Sequence, residues 1–517
     1  MDLCFQDGQI PCRWVPDMGY GYGYPLFNYY PVMPSYLGEL VYKIVLLVAP
    51  VVALVWSVKI VFALSLLISG ITMFLLARQF WGNLGGFVSS LFYMYAPYHA
   101  VDIYVRGAMA EAWSLSWTPA VFLMIYLTIR KPDLKNITLL ALFVALFLTS
   151  HNPMALIFTP VMVAWALIYL WQEKRMRSIT SLVIGGIWGL GLAAFFTLPV
   201  VLEGKYVHLE TLFSGYFNYL AHFVGIDQLF ITRFWGFGAS VWGTDDGMPF
   251  QIGWLHSGGV IISAILGLLL LKKDKLKALL IFFLTFVFFF AVFLIHPRSN
   301  PIWETVTILQ TIQFPWRILA IVIFSSSFVV GSLFAVVARN RLQKMLLLVA
   351  ILGIAVLYQP YFNIEKVVPL TDKEKLSGAL WDLQRTAGIF DYLPKTAEFP
   401  PASAAPETVV VSSGSATITD FSRGTDSLKF KVESTAGATL MLPVIDFPDW
   451  KVFVDKIEVQ FSNKNELGQP TFEVGSGSHG VMAKLFNTTL RTAANIISLV
   501  SFIILILIVV KLYIRRK

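Results

Sequence analysis

The chain has 517 residues, of which 57% are hydrophobic and only 14% are charged. Ordinary soluble domains carry roughly 25% charged residues, so the composition excludes a soluble globular protein of this size. The formal net charge of +8 does not indicate nucleic-acid binding, because the basic residues form short clusters between apolar runs rather than one patch.

Long apolar runs predict roughly twelve transmembrane helices, each about twenty residues long. The predicted segments are 40–56, 58–79, 83–98, 112–129, 136–151, 153–171, 179–201, 252–271, 277–296, 317–337, 343–360 and 493–513. The sequence therefore predicts an α-helical polytopic membrane protein, with membrane lipids as its immediate partners.

Basic clusters follow every second predicted helix, at Arg78, Arg130, Arg175, Lys272–Lys277, Arg339 and the C-terminal Arg515, Arg516 and Lys517. The positive-inside rule makes these loops cytoplasmic, the C-terminus included. We assign the segments 1–38, 99–111, 202–250, 297–316 and 362–490 to the extracytoplasmic side. Because residues 1–38 lie outside with no helix before them, we expect a further helix upstream of Met1.

Residues 362–490 differ in composition, since proline, serine, threonine and glycine turns separate short alternating runs. This pattern predicts an antiparallel β-sandwich. The predicted strands are Val409–Val411, Ala416–Thr419, Leu428–Val432, Thr439–Leu442, Lys451–Val459 and Val481–Phe486. The predicted domains are a membrane domain at 1–361, an extracytoplasmic linker and β-domain at 362–490, and a C-terminal helix with a basic tail at 491–517.

The first outer loop is rich in aromatic residues and glycine. Trp14, Tyr22 and Tyr24 suit either an interfacial aromatic belt or stacking on a sugar face. Cys4 and Cys12 lie in the same segment 1–38, and they either pair with each other or remain free thiols.

The second outer loop places His99, Asp102, Arg106 and Glu111 within thirteen residues. On a helix, Asp102 and Arg106 share one face and pair. This arrangement suits either a structural ion pair or a site in which a carboxylate moves a proton and Arg106 holds a phosphate.

Two further polar clusters precede predicted helices. His151 and Asn152 lie beside Pro153, and Trp316 and Arg317 end the segment QFPWR. Arg317 near a helix start favours anion binding, with snorkelling to the interface as the alternative. His151 is either a ligand-binding residue or an interfacial histidine with its own hydrogen bonds.

The loop 202–250 contains the adjacent carboxylates Asp245 and Asp246, with Glu203, Glu210 and Asp227 in the same loop. Carboxylates of this kind could bind a divalent cation, although two aspartates in a glycine-rich turn more often form a solvated turn. The sequence contains no zinc-ligand spacing, Walker loop or nucleophile elbow.

Five motifs resemble prokaryotic membrane proteins of the 6-pyruvoyl-tetrahydropterin synthase-related family. They are GYGYPLFNYYP at 21–31, APYHAVDIYVRG at 96–107, SHNP at 150–153, QFPWR at 313–317 and FPDWKVFVD at 447–455. The architecture also resembles the GT-C superfamily of glycosyltransferases, which take sugars from polyprenyl-phosphate donors at the outer membrane face.

The GT-C resemblance implies an inverting transfer of a sugar from a polyprenyl-phosphate donor to an extracytoplasmic glycan, lipid or protein. It implies Asp102, Glu111 or Asp17 as catalytic carboxylates, with Arg106 and Arg317 at the phosphate. His99, His151, Asn152, Trp14, Tyr22, Tyr24 and Trp316 are the other predicted substrate-binding residues. A transporter or flippase for lipid-linked glycans and a cell-envelope assembly factor are the alternatives.

Overall fold

The computed structural model describes residues 1–243, 245–337, 340–364 and 366–514. Arg339 and the terminal Arg515, Arg516 and Lys517, on which part of the predicted topology depends, lie outside the described residues. Most described residues are helical, and a C-terminal segment forms an antiparallel β-sheet.

The longer helices follow most of the predicted apolar segments. They are Met33–Leu46, Ala53–Met94, Met109–Arg130, Leu134–Leu148, Asn152–Gln172, Ile179–Leu202, Trp254–Leu270, Lys275–Ile295, Leu319–Val330, Asn340–Leu357 and Thr489–Ile514. Within the described ranges, eight helical segments are long and apolar enough to cross a membrane, and Leu134–Leu148 and Trp254–Leu270 are shorter apolar helices. A multi-pass membrane protein is the consistent interpretation.

Short helices and turns connect these elements. The short α-helices are Asp2–Gln6, Leu26–Tyr29, Pro97–Ala100, Ile226–Phe230, Asn300–Thr305, Leu333–Val336, Asp372–Lys375 and Gly378–Thr386. The 3₁₀ turns are Pro50–Val52, Met176–Ser178, Gly204–Tyr206, Glu210–Phe213, Gly215–Phe217, Tyr219–His222, Pro297–Ser299, Thr307–Ile312, Pro315–Ile318 and Gln359–Phe362. Residues Val101–Val105 form one π-helical turn.

The helical run Ala53–Met94 contains a reversal at Gly82. A straight helix of 42 residues would be about 63 Å long, roughly twice the hydrocarbon thickness of a bilayer. Gly82 has φ 74° and ψ −179°, a conformation open to glycine, and the chain then returns along itself, so that Ser90 Oγ donates to Gly70 O at 2.8 Å. The predicted division between segments 58–79 and 83–98 is thus present.

The predicted span 40–56 is not one helix. The helix Met33–Leu46 ends before Pro50, and the 3₁₀ turn Pro50–Val52 separates it from the next helix. Pro50 cannot continue a preceding helix, since its ring removes a backbone donor and clashes with the preceding turn. Hydropathy alone does not register this break.

The chain forms two compact units. The sheet unit comprises Met1–Ser57, Ala193–Thr211 and Leu370–Ile503, and the helical unit comprises Val58–Leu192, Leu212–Pro369 and Ile504–Lys517. In the helical unit, aromatic side chains fill the core, where Phe80 packs against Trp165 and Phe122 packs against Phe324. Trp81 Nε1 donates to Phe328 O at 2.8 Å, so the buried indole is satisfied.

The sheet unit carries six antiparallel strands. They are β1 (Val410–Arg423), β2 (Ser427–Met441), β3 (Trp450–Val454), β4 (Ile457–Val459), β5 (Thr471–Val474) and β6 (Gly477–Leu485). The strand order is β1-β2-β6-β3-β4, and β5 pairs with the second half of β2. β2 alternates buried and exposed residues, as a strand with one covered face does.

The predicted antiparallel β-structure is present, with all six strands joined by hydrogen bonds into one sheet, and its packing as a sandwich stays a prediction. β1 and β2 each unite two of the predicted strands, because irregular pairing near Gly414 and positive φ at Gly414 and Gly437 let long strands bend without ending. The predicted strand Lys451–Val459 is a hairpin instead, with Asp455 and Lys456 at positive φ in its turn. The sequence pattern also missed β5.

A buried ion pair ties the first turn of Thr489–Ile514 into the sheet unit. Arg491 Nε donates to Glu203 Oε2 at 2.7 Å, and both side chains are almost fully buried. Thr488 Oγ1 donates to the other oxygen of Glu203 at 2.6 Å, and the guanidinium lies over the Phe447 ring. Cys4 and Cys12 form a disulfide in the same unit.

We expect Glu203→Ala to destabilise the protein by about 3–5 kcal/mol, because it leaves the Arg491 charge buried without its partner. Unfolding by SDS titration in mixed micelles measures the effect. Asp420→Ala is the matched control, since it breaks the exposed pair with Lys431 and should change stability little. The double variant Glu203→Leu/Arg491→Met should recover much of the loss, and equal stability of wild type and Glu203→Ala would contradict this role.

Candidate functional site

The helical unit brings together residues from two distant parts of the sequence. Asp102, Arg106 and Glu111 come from the segment before and within Met109–Arg130, while Trp316 and Arg317 come from the turn Pro315–Ile318. We call these five residues together with Tyr98 the arginine–carboxylate cluster. Five of the six were predicted from the sequence, and the structure places them in mutual contact.

The local backbone explains how one short segment presents three charged groups. Val101–Val105 is a π-helical turn, in which the Arg106 N–H donates to Val101 O at 2.9 Å. Gly107, with φ 59°, ends this turn. The helix Met109–Arg130 then begins, and Glu111 lies in its first turn, where the helix dipole stabilises a carboxylate. Single π-turns of this kind recur at functional sites.

The Glu111 carboxylate is the centre of the cluster. It is fully buried and accepts hydrogen bonds from the Tyr98 hydroxyl and from Arg106 Nη1, the latter at 2.8 Å. Arg317 Nε lies 3.6 Å from the same carboxylate. Burial of a carboxylate away from water is unfavourable unless cations and hydrogen-bond donors surround it. Glu111 therefore needs both guanidinium groups, and it holds them in place.

Aromatic rings lie beneath both arginines. Arg106 Cζ is 4.5 Å from the Trp316 ring centroid, and Arg317 Cζ is 4.7 Å from that of Phe314. Phe314 and Trp316 stack on each other, and Trp316 Nε1 donates to Ser240 Oγ at 3.2 Å. The guanidinium planes are therefore held by cation–π contacts as well as by charge.

Two buried polar atoms of the cluster have no hydrogen-bond partner among the described residues. They are Asp102 Oδ2 and Arg317 Nε. Asp102 binds Arg106 Nη1 through its other oxygen only. Arg317 Nε still faces the Glu111 carboxylate at 3.6 Å, whereas Asp102 Oδ2 faces no donor. Buried polar atoms are paired in most proteins, so Asp102 Oδ2 is the atom that a ligand or a proton would complete.

Burial raises the pKa of the Asp102 carboxyl well above its ordinary value, and the nearby charge of Glu111 adds to the increase while Arg106 opposes it. A protonated Asp102 leaves one carboxylate facing two guanidinium groups. The cluster then carries a net positive charge, which suits an anionic ligand.

Arg106 and Arg317 retain donors for such a ligand. Within the described chain, every side-chain hydrogen bond of Arg106 comes from Nη1, and those of Arg317 go from Nη1 to Ile312 O and to Gln313 Oε1, both at 2.8 Å. Their side chains are 14% and 11% exposed, so the remaining nitrogens can meet a ligand without unfolding the cluster.

His151 belongs to the same neighbourhood. It is the N-cap of the helix Asn152–Gln172, and its Nδ1 accepts from the Met154 N–H at 3.3 Å. Burial lowers its pKa to about 3, against an opposing effect of Glu111. His151 is therefore neutral at physiological pH, with its proton on Nε2. Asn152 is the first residue of that helix.

His99 lies in the core. Its ring is 1% exposed, Nδ1 is 2.5 Å from Tyr93 O, and burial lowers its pKa to about 4. His99 Nε2 has no hydrogen-bond partner among the described residues, and the predicted substrate contact of His99 stays a prediction.

Three candidate spans begin at this cluster. Glu111, His151 and Arg317 lie at the N-terminal ends of Met109–Arg130, Asn152–Gln172 and Pro315–Val336. Helix N-termini carry partial positive charge. The cluster thus combines two guanidinium groups with three helix N-termini at one end of the spans.

The predicted residues of the first loop lie in the sheet unit. Trp14 is 1% exposed and packs against Phe447 and Trp450, and Tyr24 donates to Gly388 O at 2.9 Å. Tyr22 is buried beside Ile445. Because their rings are covered by protein, burial argues against the predicted stacking on a sugar. Asp17 is half-buried in the same unit.

Three of the five acidic residues considered for a divalent cation have other partners. Glu203 pairs with Arg491, and Glu210 accepts from His208 at 2.5 Å. Asp246 accepts from Gln228 Nε2 and from the Val241 N–H, both at 2.8 Å, which shapes its loop. No group of three or more potential metal-binding side chains occurs in the part of the chain that the structure describes.

Sequence reasoning missed two contributors to the cluster. The Tyr98 hydroxyl contacts Glu111 thirteen residues away, and Gln313 Oε1 fixes Arg317. Both residues occur in the motifs at 96–107 and 313–317, so the motifs marked the positions, but neither spacing indicates the contact. Gln313 has φ 67°, which turns the chain before Pro315.

Comparisons with known protein families, with curated proteins and with solved structures found no significant match for this chain. The geometry of the cluster therefore carries the functional argument.

Asp102→Asn should remove a pH dependence of stability. With a raised folded-state pKa, the folded protein holds a proton that the unfolded chain releases above about pH 4, so wild-type stability falls as pH rises from there toward that pKa. Asn mimics the protonated acid and abolishes this decline. Thermal unfolding between pH 4 and 8 tests the prediction, with the exposed Asp245→Asn as control. Parallel curves for wild type and Asp102→Asn would show that Asp102 does not titrate in this way.

Proposed function

We propose that the protein is an integral-membrane glycosyltransferase of GT-C type, which transfers a sugar from a polyprenyl-phosphate donor to an extracytoplasmic acceptor. The observation that carries the proposal is the convergence of Arg106 and Arg317 on buried Glu111 at the start of three apolar helices. A lipid-linked phosphate places its anionic group at the membrane edge, where such a cluster can reach it.

The arginines bind the donor phosphate in this proposal. Each guanidinium is oriented by a carboxylate and an aromatic ring, and each keeps unused N–H groups. Charge-assisted bonds of this type stabilise a phosphate most as it departs with the electron pair of the broken bond. Glu111 holds the arginines and does not act on substrate.

Asp102 is the proposed proton acceptor. The acceptor hydroxyl oxygen attacks the anomeric carbon, a new carbon–oxygen bond forms, and the bond from that carbon to the phosphate oxygen breaks. Because the resting Asp102 is protonated, it must first release that proton to solvent. The hydroxyl proton then passes to its Oδ2, which has no hydrogen-bond partner among the described residues.

The proposed orientation follows the positive-inside rule. In this orientation the segments 99–111, 297–316 and 362–490 are extracytoplasmic, and the basic C-terminal tail is cytoplasmic. The donor and acceptor then meet at the outer membrane surface.

Arg106→Gln and Arg317→Gln should each lower transfer about ten- to hundredfold, because each removes a charge-assisted bond to phosphate. Asp102→Asn should lower it about 10²–10⁴-fold through loss of the base. The measurement is release of free polyprenyl phosphate from a panel of polyprenyl-phosphate sugars, with native-host membranes as the acceptor source. Arg233→Gln is the matched control, because it removes an exposed arginine that lies over the Trp254 ring and is not part of the arginine–carboxylate cluster.

A binding assay with polyprenyl phosphate alone distinguishes a wrong site assignment from a site that binds the lipid but does not transfer sugar. Release that depends on Asp102 and both arginines supports the proposal. Binding that the arginine variants weaken, without release from any donor, would replace transfer with carriage of lipid-linked glycans. Unchanged release in all three variants would overturn the site assignment.

A further inference from the structure

A cavity with a volume of about 330 Å³ lies wholly within the sheet unit. Segments from the N-terminus, the first loop, the helix Gly378–Thr386, the following linker and the β1–β2 turn meet around it. Their polar side chains on its wall are Asp7, Asp17, Arg385, Glu407, Arg423 and Thr425. Its volume is at the lower end of the range for small-molecule sites.

Opposite charges face this cavity without pairing across it. Asp17, Glu407 and Arg423 form no ion pair within 4.0 Å with any residue of the described chain. Arg423 donates instead to the backbone of Pro16 at 3.3 Å. Burial lowers the pKa of the Arg423 guanidinium, while the charge of Asp17 opposes that effect. The donors and acceptors are therefore held apart by a space that a polar molecule can fill.

Two buried atoms at the cavity lack partners among the described residues. Thr425 is 4% exposed, and its Oγ1 has no hydrogen bond, and Arg385 Nε is buried without an acceptor. Arg385 pairs through Nη2 with Asp382 at 2.8 Å, which fixes the guanidinium. Because both atoms have almost no accessible surface, they lie within the cavity wall and not on its surface, and their unpaired state carries a free-energy cost there.

Backbone bonds hold the wall in position. The Tyr20 N–H donates to Arg385 O at 3.2 Å, and the Ala405 N–H donates to Tyr20 O at 3.0 Å. The Thr425 N–H donates to the Asp7 carboxylate at 2.5 Å. A wall fixed in this way loses little conformational freedom on binding.

We infer that this cavity binds a neutral sugar unit. Three carboxylates disfavour an anion and two guanidinium groups disfavour a cation, whereas each sugar hydroxyl both donates and accepts. Vicinal hydroxyls can bridge the arginine donors and the aspartate acceptors at once. The site lies apart in sequence from the arginine–carboxylate cluster, and the inference does not depend on the transfer reaction.

Saturation-transfer NMR and calorimetry on the purified full-length protein test the inference. The probes are the methyl glycosides of glucose, galactose, mannose and N-acetylglucosamine, with glucuronic acid and glucosamine as charged comparisons. We expect at least one neutral glycoside to bind, about tenfold or more tightly than the charged sugars. A preference for a charged sugar, or saturable binding of none, would overturn the inference.

Arg423→Gln is the decisive variant, because it removes a guanidinium of the cavity wall that forms no ion pair in the described chain. It should weaken sugar binding about tenfold, and thermal unfolding verifies that the variant is folded. Glu473→Gln, which neutralises an exposed carboxylate on β5, is the control and should bind as wild type does. Binding unaffected by Arg423→Gln in a folded variant would place the sugar elsewhere. No phosphate donor is present, so these outcomes are independent of the proposed transfer.

Discussion

The helical unit depends on one buried carboxylate. Glu111 accepts from Tyr98 and Arg106 and lies 3.6 Å from Arg317, so one acidic group fixes segments more than two hundred residues apart. Its burial is tolerated because the first turn of its helix and two guanidinium groups compensate for lost water. Each arginine keeps further donors, because all of its side-chain hydrogen bonds within the described chain leave from Nη1.

A similar constraint operates in the sheet unit. Glu203 and Arg491 are buried together, and Arg13 donates to Asn28 Oδ1 at 2.8 Å and to Asn495 Oδ1 at 2.7 Å. These bonds join the first loop, the segment Ala193–Thr211 and the start of the last helix. The aromatic residues of the first loop fill the core between them. Residues that are distant in sequence thus form one folded body, which also encloses the proposed sugar cavity.

Much of the helical framework was predictable. Apolar length gave most helices within a few residues, and the reversal at Gly82 separates two predicted segments. The spacing of four residues between Asp102 and Arg106 predicted the ion pair that the structure contains. Hydropathy overlooked the break at Pro50, and strand patterns divided β1 and β2 because local alternation does not reveal how far a bent strand continues. The first-loop aromatics carried no signal that distinguishes an exposed ring from a buried one.

By itself, the sequence determined a mostly helical chain with several apolar segments long enough to cross a membrane and one β-rich segment, because length and hydropathy are read directly from each local run of residues. It also marked the charged residues near helix starts, since charge near lipid is costly wherever the chain places it. Only the tertiary structure decided that Arg317 meets Glu111, that Glu203 meets Arg491 and that Arg423 lines a cavity. Such pairings join residues far apart in the chain, and no local spacing records them.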